Sequence, residues 1–213
     1  MSNGCLREII RKRRSIRRYK DVPPPEEWIE KILLSVLWAP SPSNLQPVRY
    51  IKLESDSIRK ELRQHMICGK ERLLKQLKES DSSKRTWKWI DVYYHKYCDF
   101  LFDAPLIFAV GLIKAKEGFH IKLKEAGLET NYDLASSHSI ALGISLSHFI
   151  LEAQKLGLGT CILTTPMIFM KKLNKILEIQ DVDVKCFLTV GFPDESPDPP
   201  ERLSLSDIYI VKV

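Results

Sequence analysis

A chain of 213 residues, 44% of them hydrophobic, can bury a substantial core and suits one globular domain with excursions. It holds no run of about 18 apolar residues, so no membrane-spanning helix is expected. A formal net charge of +6 and a pI of about 9.0 admit an anionic cofactor, a nucleic acid or a solvated basic surface.

The first residues, MSNGCLREIIRKRRS, place their charges inside and after the apolar positions. They lack the apolar run and small-residue cleavage site of a secretory signal, so a cytoplasmic location is expected. Cys5, Cys68, Cys98, Cys161 and Cys186 are odd in number, widely spaced and without a C-x-x-C pair. That pattern excludes a disulfide framework and a zinc site, and Cys161 and Cys186 read as small core residues.

In chain order, residues 5–13 predict a short helix with Leu6, Ile9 and Ile10 on one stripe. Pro25 then opens a helix with Glu26 and Glu27 near its N-terminus. It carries Trp28, Ile29, Ile32, Leu33, Val36 and Leu37 and stops near Pro40 and Pro42. Residues 48–53 predict a strand; 56–79 and 86–102 predict helices separated by a polar stretch. The apolar run at 104–113 reads as a buried strand. Residues 114–130 are amphipathic or looping, a candidate mobile cover. A long helix follows at about 132–156, rich in Ala, Ser and Gly and apolar on several faces, which places it centrally or at a subunit interface. Residues 157–166 form a helix end and a short β-like run, and Pro166 starts another helix. Strands are predicted at 184–192 and 207–213. The sum is α+β, with about four strands not in βαβ alternation among about five or six helices. It is a single domain, 1–213, with excursions expected at 66–90 and 114–131.

Four stretches can carry chemistry. In RKRRSIRRY (11–19), Arg13, Arg14, Arg17 and Arg18 surround Ser15. Arg13 and Arg17 are four apart, so a helical turn would put them on one face. Guanidinium forks match phosphate oxygens; the alternative is the basic end of a surface helix serving its last carbonyls. In APSPSNLQP (39–47), Asn44 and Gln46 can each donate and accept, and the prolines stiffen the loop. The alternative is a proline-rich helix stop. In LGLGTCILTTP, Gly157 and Gly159 allow close approach or positive φ, and Thr164 and Thr165 precede Pro166 with N–H groups to offer. The alternative is a helix C-cap leading into a core strand. Arg202 ends a proline-stiffened connector, either reaching a ligand or solvated. The five histidines have no ligand spacing, and no metal site or protein catalytic group is expected. The mixed-sign basic run at 59–88 reads as a solvated helix face.

In this order and spacing, RRSIR (13–17), APSPSNLQP, LGLGTC (156–161), VGFP (190–193) and RLSL (202–205) resemble the FMN-dependent nitroreductase family, over nearly the whole chain. The resemblance implies a nitroreductase-like α+β fold, a central mostly antiparallel sheet flanked by helices. It implies a homodimer with a long central interface helix and FMN sites at the interface. Arg13, Ser15 and Arg17 would hold the FMN phosphate and ribityl chain, with Arg14 assisting and Arg202 closing on the phosphate. Pro40, Ser41, Pro42, Ser43, Asn44 and Gln46 would contact the flavin of the partner subunit. The N–H groups of Thr164 and Thr165 would face flavin N5 and O4. The chain departs from the family pattern at Val48 (often Trp), at Pro200 (often Lys), and at Thr164 and Thr165 (often Gly or Glu-Gly).

The implied activity is NAD(P)H-driven reduction of a nitroaromatic, quinone or enone by hydride transfer through flavin N5. The same fold also serves flavin fragmentation and reductive dehalogenation. A third reading is non-enzymatic, a basic nucleic-acid-binding module built on 59–88, which would bind with a steep salt dependence. No nucleic-acid-binding motif accompanies it.

Overall fold

The apolar run that follows Asp103 lies at the centre of the molecule. A computed structural model describes residues 5–79, 84–113, 119–128, 133–171 and 173–212. The chain runs through α1 (Leu6–Lys12), α2 (Glu26–Val36), β1 (Val48–Lys52), α3 (Asp56–Glu79) and α4 (Lys84–Tyr97). It continues through β2 (Leu106–Ile113), α5 (Phe119–Glu125), α6 (Leu134–Lys155), β3 (Gly159–Leu163), α7 (Pro166–Phe169), α8 (Leu173–Ile176), β4 (Val182–Gly191) and α9 (Leu205–Ile208).

The four strands form one antiparallel sheet in the order β1-β2-β4-β3. Tyr50 lies opposite Val110, Phe108 opposite Leu188, and Cys161 opposite Thr189. Both faces are covered, which is why β2 reads as a continuous apolar run rather than an alternating one. Its even-numbered residues Leu106, Phe108, Val110 and Leu112 pack with Ile29 and Ile32 of α2 and Leu142, Leu146 and Phe149 of α6. Ile107 and Ala109 face the other way, toward Leu62 and Met66 of α3, Tyr94 of α4 and Phe169 of α7. Each fully buried side chain in these layers contributes roughly 1.5–3 kcal/mol through apolar burial.

Local sequence explains the element ends. Pro25 and the acidic pair Glu26 and Glu27 open α2. Asp133 caps α6 by accepting from Ala135 N at 3.0 Å. Cys161 and Cys186 are core residues, 4% and 2% exposed.

Three expectations change. The helix expected over 86–102 ends at Tyr97 and is followed by a 3-10 turn at Asp99–Asp103. Pro105 forces Ala104 into an extended conformation, so the helix cannot run into β2. The second change is an added short helix, α8, in a stretch with no periodic signal. The third is the C-terminal strand, which does not form among the described residues. Residues 205–208 are helical, and Ile208, Tyr209, Ile210 and Val211 are all exposed. Alternating apolar residues become a strand only beside a partner edge, and the outer edge of β3 is already used. Of the excursion expected at 66–90, residues 66–79 belong to α3 and 84–90 to α4, and 80–83 lie outside the described residues. Of 114–131, only 119–128 is described.

Candidate functional site

The outer edge of β3 is occupied by the arginine segment. Ser15 bridges Thr160 in parallel, and Ile16 N donates to Thr160 O at 3.0 Å. Gly159 makes this approach possible, because a Cβ there would sit 2.7 Å from Ile16 Cβ. The Tyr19 hydroxyl folds back to donate to Ile16 O at 2.5 Å and lies 2.7 Å from Thr189 Oγ1. The segment is therefore extended, not helical. Arg13, Ser15 and Arg17 share a side by the two-residue repeat of extended chain, while Ile16 is buried on the other. This corrects the helical-turn argument for Arg13 and Arg17 and leaves them on one face.

Residues from opposite ends of the chain meet here. Arg13, Arg14, Ser15 and Arg17 line a cavity of about 250 Å³ together with Asp198 and Arg202. A larger adjoining cavity of about 670 Å³ shares Arg13, Arg14 and Arg202 and is walled by Ile150 and Leu151 of α6. Arg17 also approaches the ring of Phe100, 6.0 Å from its centroid. Arg14 divides its donors differently. Its Nη1 bonds Arg11 O and Arg13 O, both at 2.7 Å, closing the end of α1, while its buried Nε finds no partner. The helix-end reading thus applies to Arg14; Arg17 Nη1 donates to Ser15 O at 3.3 Å, and Arg13 and Arg202 complete the basic lining of the cavity. Under this floor lies the Cys161 thiol, which burial pushes up, against the pull of the nearby Arg17 and Arg13 charges.

The loop 39–47 lines a separate cavity with no residue in common with the arginine one. It lies between Pro40, Ser41 and Gln46 of the loop, Val36 of α2, and Ala141 and Ser145 of α6. Pro42–Asn44 form a 3-10 turn. Ser43, Asn44 and Gln46 all have positive φ, at 49°, 53° and 46°. The left-handed region costs a non-glycine residue of order 1–3 kcal/mol. Local bonds offset the cost: Gln46 N donates to Ser41 Oγ at 2.9 Å, and Gln46 Nε2 donates to Asn44 Oδ1 at 3.2 Å. Ser43, Asn44 and Gln46 remain exposed.

Thr164 and Thr165 follow β3 directly and lead into α7. The turn bonds use their carbonyls, accepting from Met167 N and Ile168 N at 3.0 Å, and not their N–H groups. From Thr160, at the arginine segment, to Thr164 along β3 is about 13 Å at the usual rise of a strand.

Part of the basic run at 59–88 is spent on internal contacts. Arg59 donates to the carbonyls of Leu53, Ala104 and Pro105, Arg63 pairs with Asp103, and Lys70 pairs with Asp91. Sequence reasoning missed Glu195, Asp198 and Phe100 as neighbours of the arginine segment. A carboxylate within a proline-rich connector beside a basic segment was the available signal for Glu195.

The Nitroreductase family model matches residues 10–192, and the chain belongs to that family. It is similar to iodotyrosine deiodinase 1 of Rattus norvegicus, 26% identical over 212 residues, covering 95% of this chain and 68% of the relative. Among solved structures, a BluB-like flavoprotein from Clostridium difficile 630 superposes with a TM-score of 0.82 at 17% identity, covering 98% of this chain and 99% of that one. An NADPH:FMN oxidoreductase from Vibrio harveyi complexed with NAD+ gives 0.67 at 18% identity, covering 98% of this chain and 77% of that one. The antiparallel sheet between helical layers is thus the fold expected from the sequence. Among the described residues no helix is long and apolar enough to cross a membrane.

Proposed function

We propose that this protein is an FMN-dependent oxidoreductase that uses NAD(P)H to reduce a small electron-poor acceptor, of the nitroaromatic, quinone or enone type. The observation that carries the reading is the convergence of Arg13, Ser15 and Arg17 with Arg202 on one cavity of about 250 Å³. Three guanidinium groups and a hydroxyl suit a phosphate monoester in charge and in donor number. The words flavoprotein and FMN oxidoreductase in the names of the structural neighbours agree with that chemistry.

FMN held by these residues would supply hydride-transfer chemistry between NAD(P)H and the acceptor. The chain's own residues bind and orient. Arg13, Ser15, Arg17 and Arg202 would hold the phosphate, and Arg14 fixes the end of α1, from which the segment bearing Arg13, Ser15 and Arg17 departs. Thr164 and Thr165 lie at the far end of β3, where their N–H groups would meet the flavin edge at N5 and O4 and stabilise charge developing there. Pro40, Ser41, Pro42, Ser43, Asn44 and Gln46 face the flavin of a second copy, in a homodimer. Two features support the dimer. Trp38, just past the end of α2, is 84% exposed, and the exposed face of α6 carries the small residues Ser136, Ser139 and Gly143 beside the exposed apolar Ile140, a face another helix can approach.

A visible spectrum of the purified protein tests the reading, followed by anaerobic titration with NADH and NADPH. A yellow protein bleached by either donor and reoxidised by a nitroaromatic is expected. A colourless protein that FMN cannot reconstitute refutes it. Consumption of the flavin in air, or iodide release from an iodotyrosine, would move the activity to flavin fragmentation or reductive dehalogenation on the same site.

A further inference from the structure

Glu195 ties the two ends of the arginine cavity together. Its Oε1 accepts from Arg17 N at 2.5 Å and from Arg18 N at 3.3 Å, and its Oε2 lies 3.5 Å from Arg18 Nε. Its side chain is only 19% exposed. The C-terminal connector meets the arginine segment at two successive places. Lys20 N donates to Phe192 O at 2.9 Å and Asp194 N to Arg18 O at 3.0 Å, the pair of bonds that bridges Tyr19 and Pro193, and Glu195 then takes the N–H groups of Arg17 and Arg18. Beyond Glu195, the next hydrogen bond among the described residues is in the cap at Ser204. Pro197, Pro199 and Pro200 stiffen that interval, and Arg202 lies near its end. Proline limits how far the backbone can wander, so the direction of the connector is largely set where it leaves its last anchor.

We infer that Glu195 is a positioning residue for the phosphate end of the site, anchoring the connector so that Arg202 returns over Arg13, Ser15 and Arg17. This rests on the reading that the cavity takes the FMN phosphate. The role has a distinctive sign. A carboxylate this close to a cationic cavity opposes an incoming anion, so on charge alone its removal would tighten phosphate binding. As an anchor, its removal must loosen it. Glu195→Gln removes the charge but keeps an acceptor oxygen for the Arg17 and Arg18 N–H groups. Glu195→Asp keeps the charge but draws the acceptor back by one methylene. The two substitutions separate the effects, and both preserve a polar side chain in a half-buried place.

The experiment titrates the full-length parent, Glu195→Gln and Glu195→Asp with FMN and with riboflavin, following flavin fluorescence, and takes the affinity ratio as the readout. Riboflavin lacks the phosphate, so the ratio isolates the phosphate end. The parent is expected to favour FMN, Glu195→Gln to keep the ratio within about threefold, and Glu195→Asp to lower it by about tenfold, the equivalent of one charge-assisted hydrogen bond. Riboflavin affinity and melting temperature should change little. If Glu195→Asp keeps the parent ratio, or weakens FMN and riboflavin alike, the anchor is wrong. If Glu195→Gln raises the ratio well beyond threefold while Glu195→Asp keeps it, the carboxylate acts through charge and the anchor is equally wrong. A parent that binds FMN no better than riboflavin overturns the phosphate reading itself, and the anchor with it.

Discussion

Gly69 lies in the middle of α3, where an alanine would ordinarily improve the helix by about 1 kcal/mol. Here the opposite is expected. A Cβ at this position would lie 1.7 Å from Phe169 O, 2.7 Å from Phe169 C and 3.2 Å from Phe169 Cα. All three are backbone atoms, so no side chain can rotate away, and the end of α7 or the whole of α3 must move by about 1.7 Å or more to reach ordinary contact. Overpacking a core costs about 1–3 kcal/mol, and a backbone collision belongs at the upper end. Offset by the helix gain, Gly69→Ala should destabilise by about 2 kcal/mol, or about 4–8 °C in melting temperature for a chain of this size. The displacement should also be felt beyond the core. His65 bonds Lys171 O at 2.7 Å and Arg72 reaches Phe169 O at 3.5 Å, so α3 holds both α7 and the residues just after it. Since α7 begins at Pro166, Thr164 and Thr165 should shift with it and flavin affinity should fall. Urea denaturation of the parent and Gly69→Ala, with and without FMN, measures both effects. A variant as stable as the parent would refute the packing argument.

Gly143 supplies the contrast, since a Cβ there meets nothing within 4 Å. Gly143→Ala should stabilise the isolated subunit by about 0.5–1 kcal/mol in urea denaturation but weaken subunit association by sedimentation, if the α6 face packs against a second copy. Arg13→Ala and Arg17→Ala should each weaken FMN binding by roughly 10- to 100-fold and leave riboflavin affinity nearly unchanged in fluorescence titration. Burial pushes the Cys98 and Cys186 thiols from 9.0 up to about 12. The unfolded chain therefore loses these protons first: their contribution is intact below pH 9 and is lost as pH rises toward 12, at up to about 1.4 kcal/mol per unit and group. A urea midpoint that falls between pH 8.5 and 10.5, with recovery in Cys98→Ala/Cys186→Ala relative to its own value at pH 8.5, is the expected signature. Ser41→Ala removes the acceptor for Gln46 N, and should lower dimer affinity and flavin affinity together, because the loop geometry serves both.

The parts of the fold legible in the sequence are those whose signal is local. The β2 run is apolar at every position because both faces are covered, and α2 is announced by Pro25 and the glutamates behind it. What was not legible depends on contacts between distant residues. Nothing in RKRRSIRRY distinguishes a helical turn from an extended segment. The choice is made by the outer edge of β3 and by the room that Gly159 leaves for Ile16, more than 140 residues away. The C-terminal alternation is real as a pattern, but a strand is a property of two chains side by side, and one segment cannot announce its neighbour.

The same distinction explains the loop APSPSNLQP. Its prolines account for stiffness but not for its conformation, which is set at three non-glycine residues with positive φ. The Ser41 hydroxyl and the Asn44–Gln46 bond hold them there. Asn tolerates the left-handed region better than most residues, whereas Ser and Gln gain nothing intrinsic from it. A loop that merely ended α2 and started β1 would need no such geometry, because Ser, Asn and Pro form ordinary turns without strain. Strain that the surrounding bonds maintain, in side chains left exposed, is the pattern of a surface prepared for a ligand or a partner. The arginine cavity differs in kind. Its residues lie at both ends of the sequence, and its shape depends on how Glu195 joins those ends. The loop is thus set mostly by local hydrogen bonds, Arg49 Nη1 to Gln46 O among them, whereas the cavity depends on the fold of nearly the whole chain. A change in the loop should alter the site while leaving the subunit folded, and a change at the connector anchor should act selectively on the phosphate end.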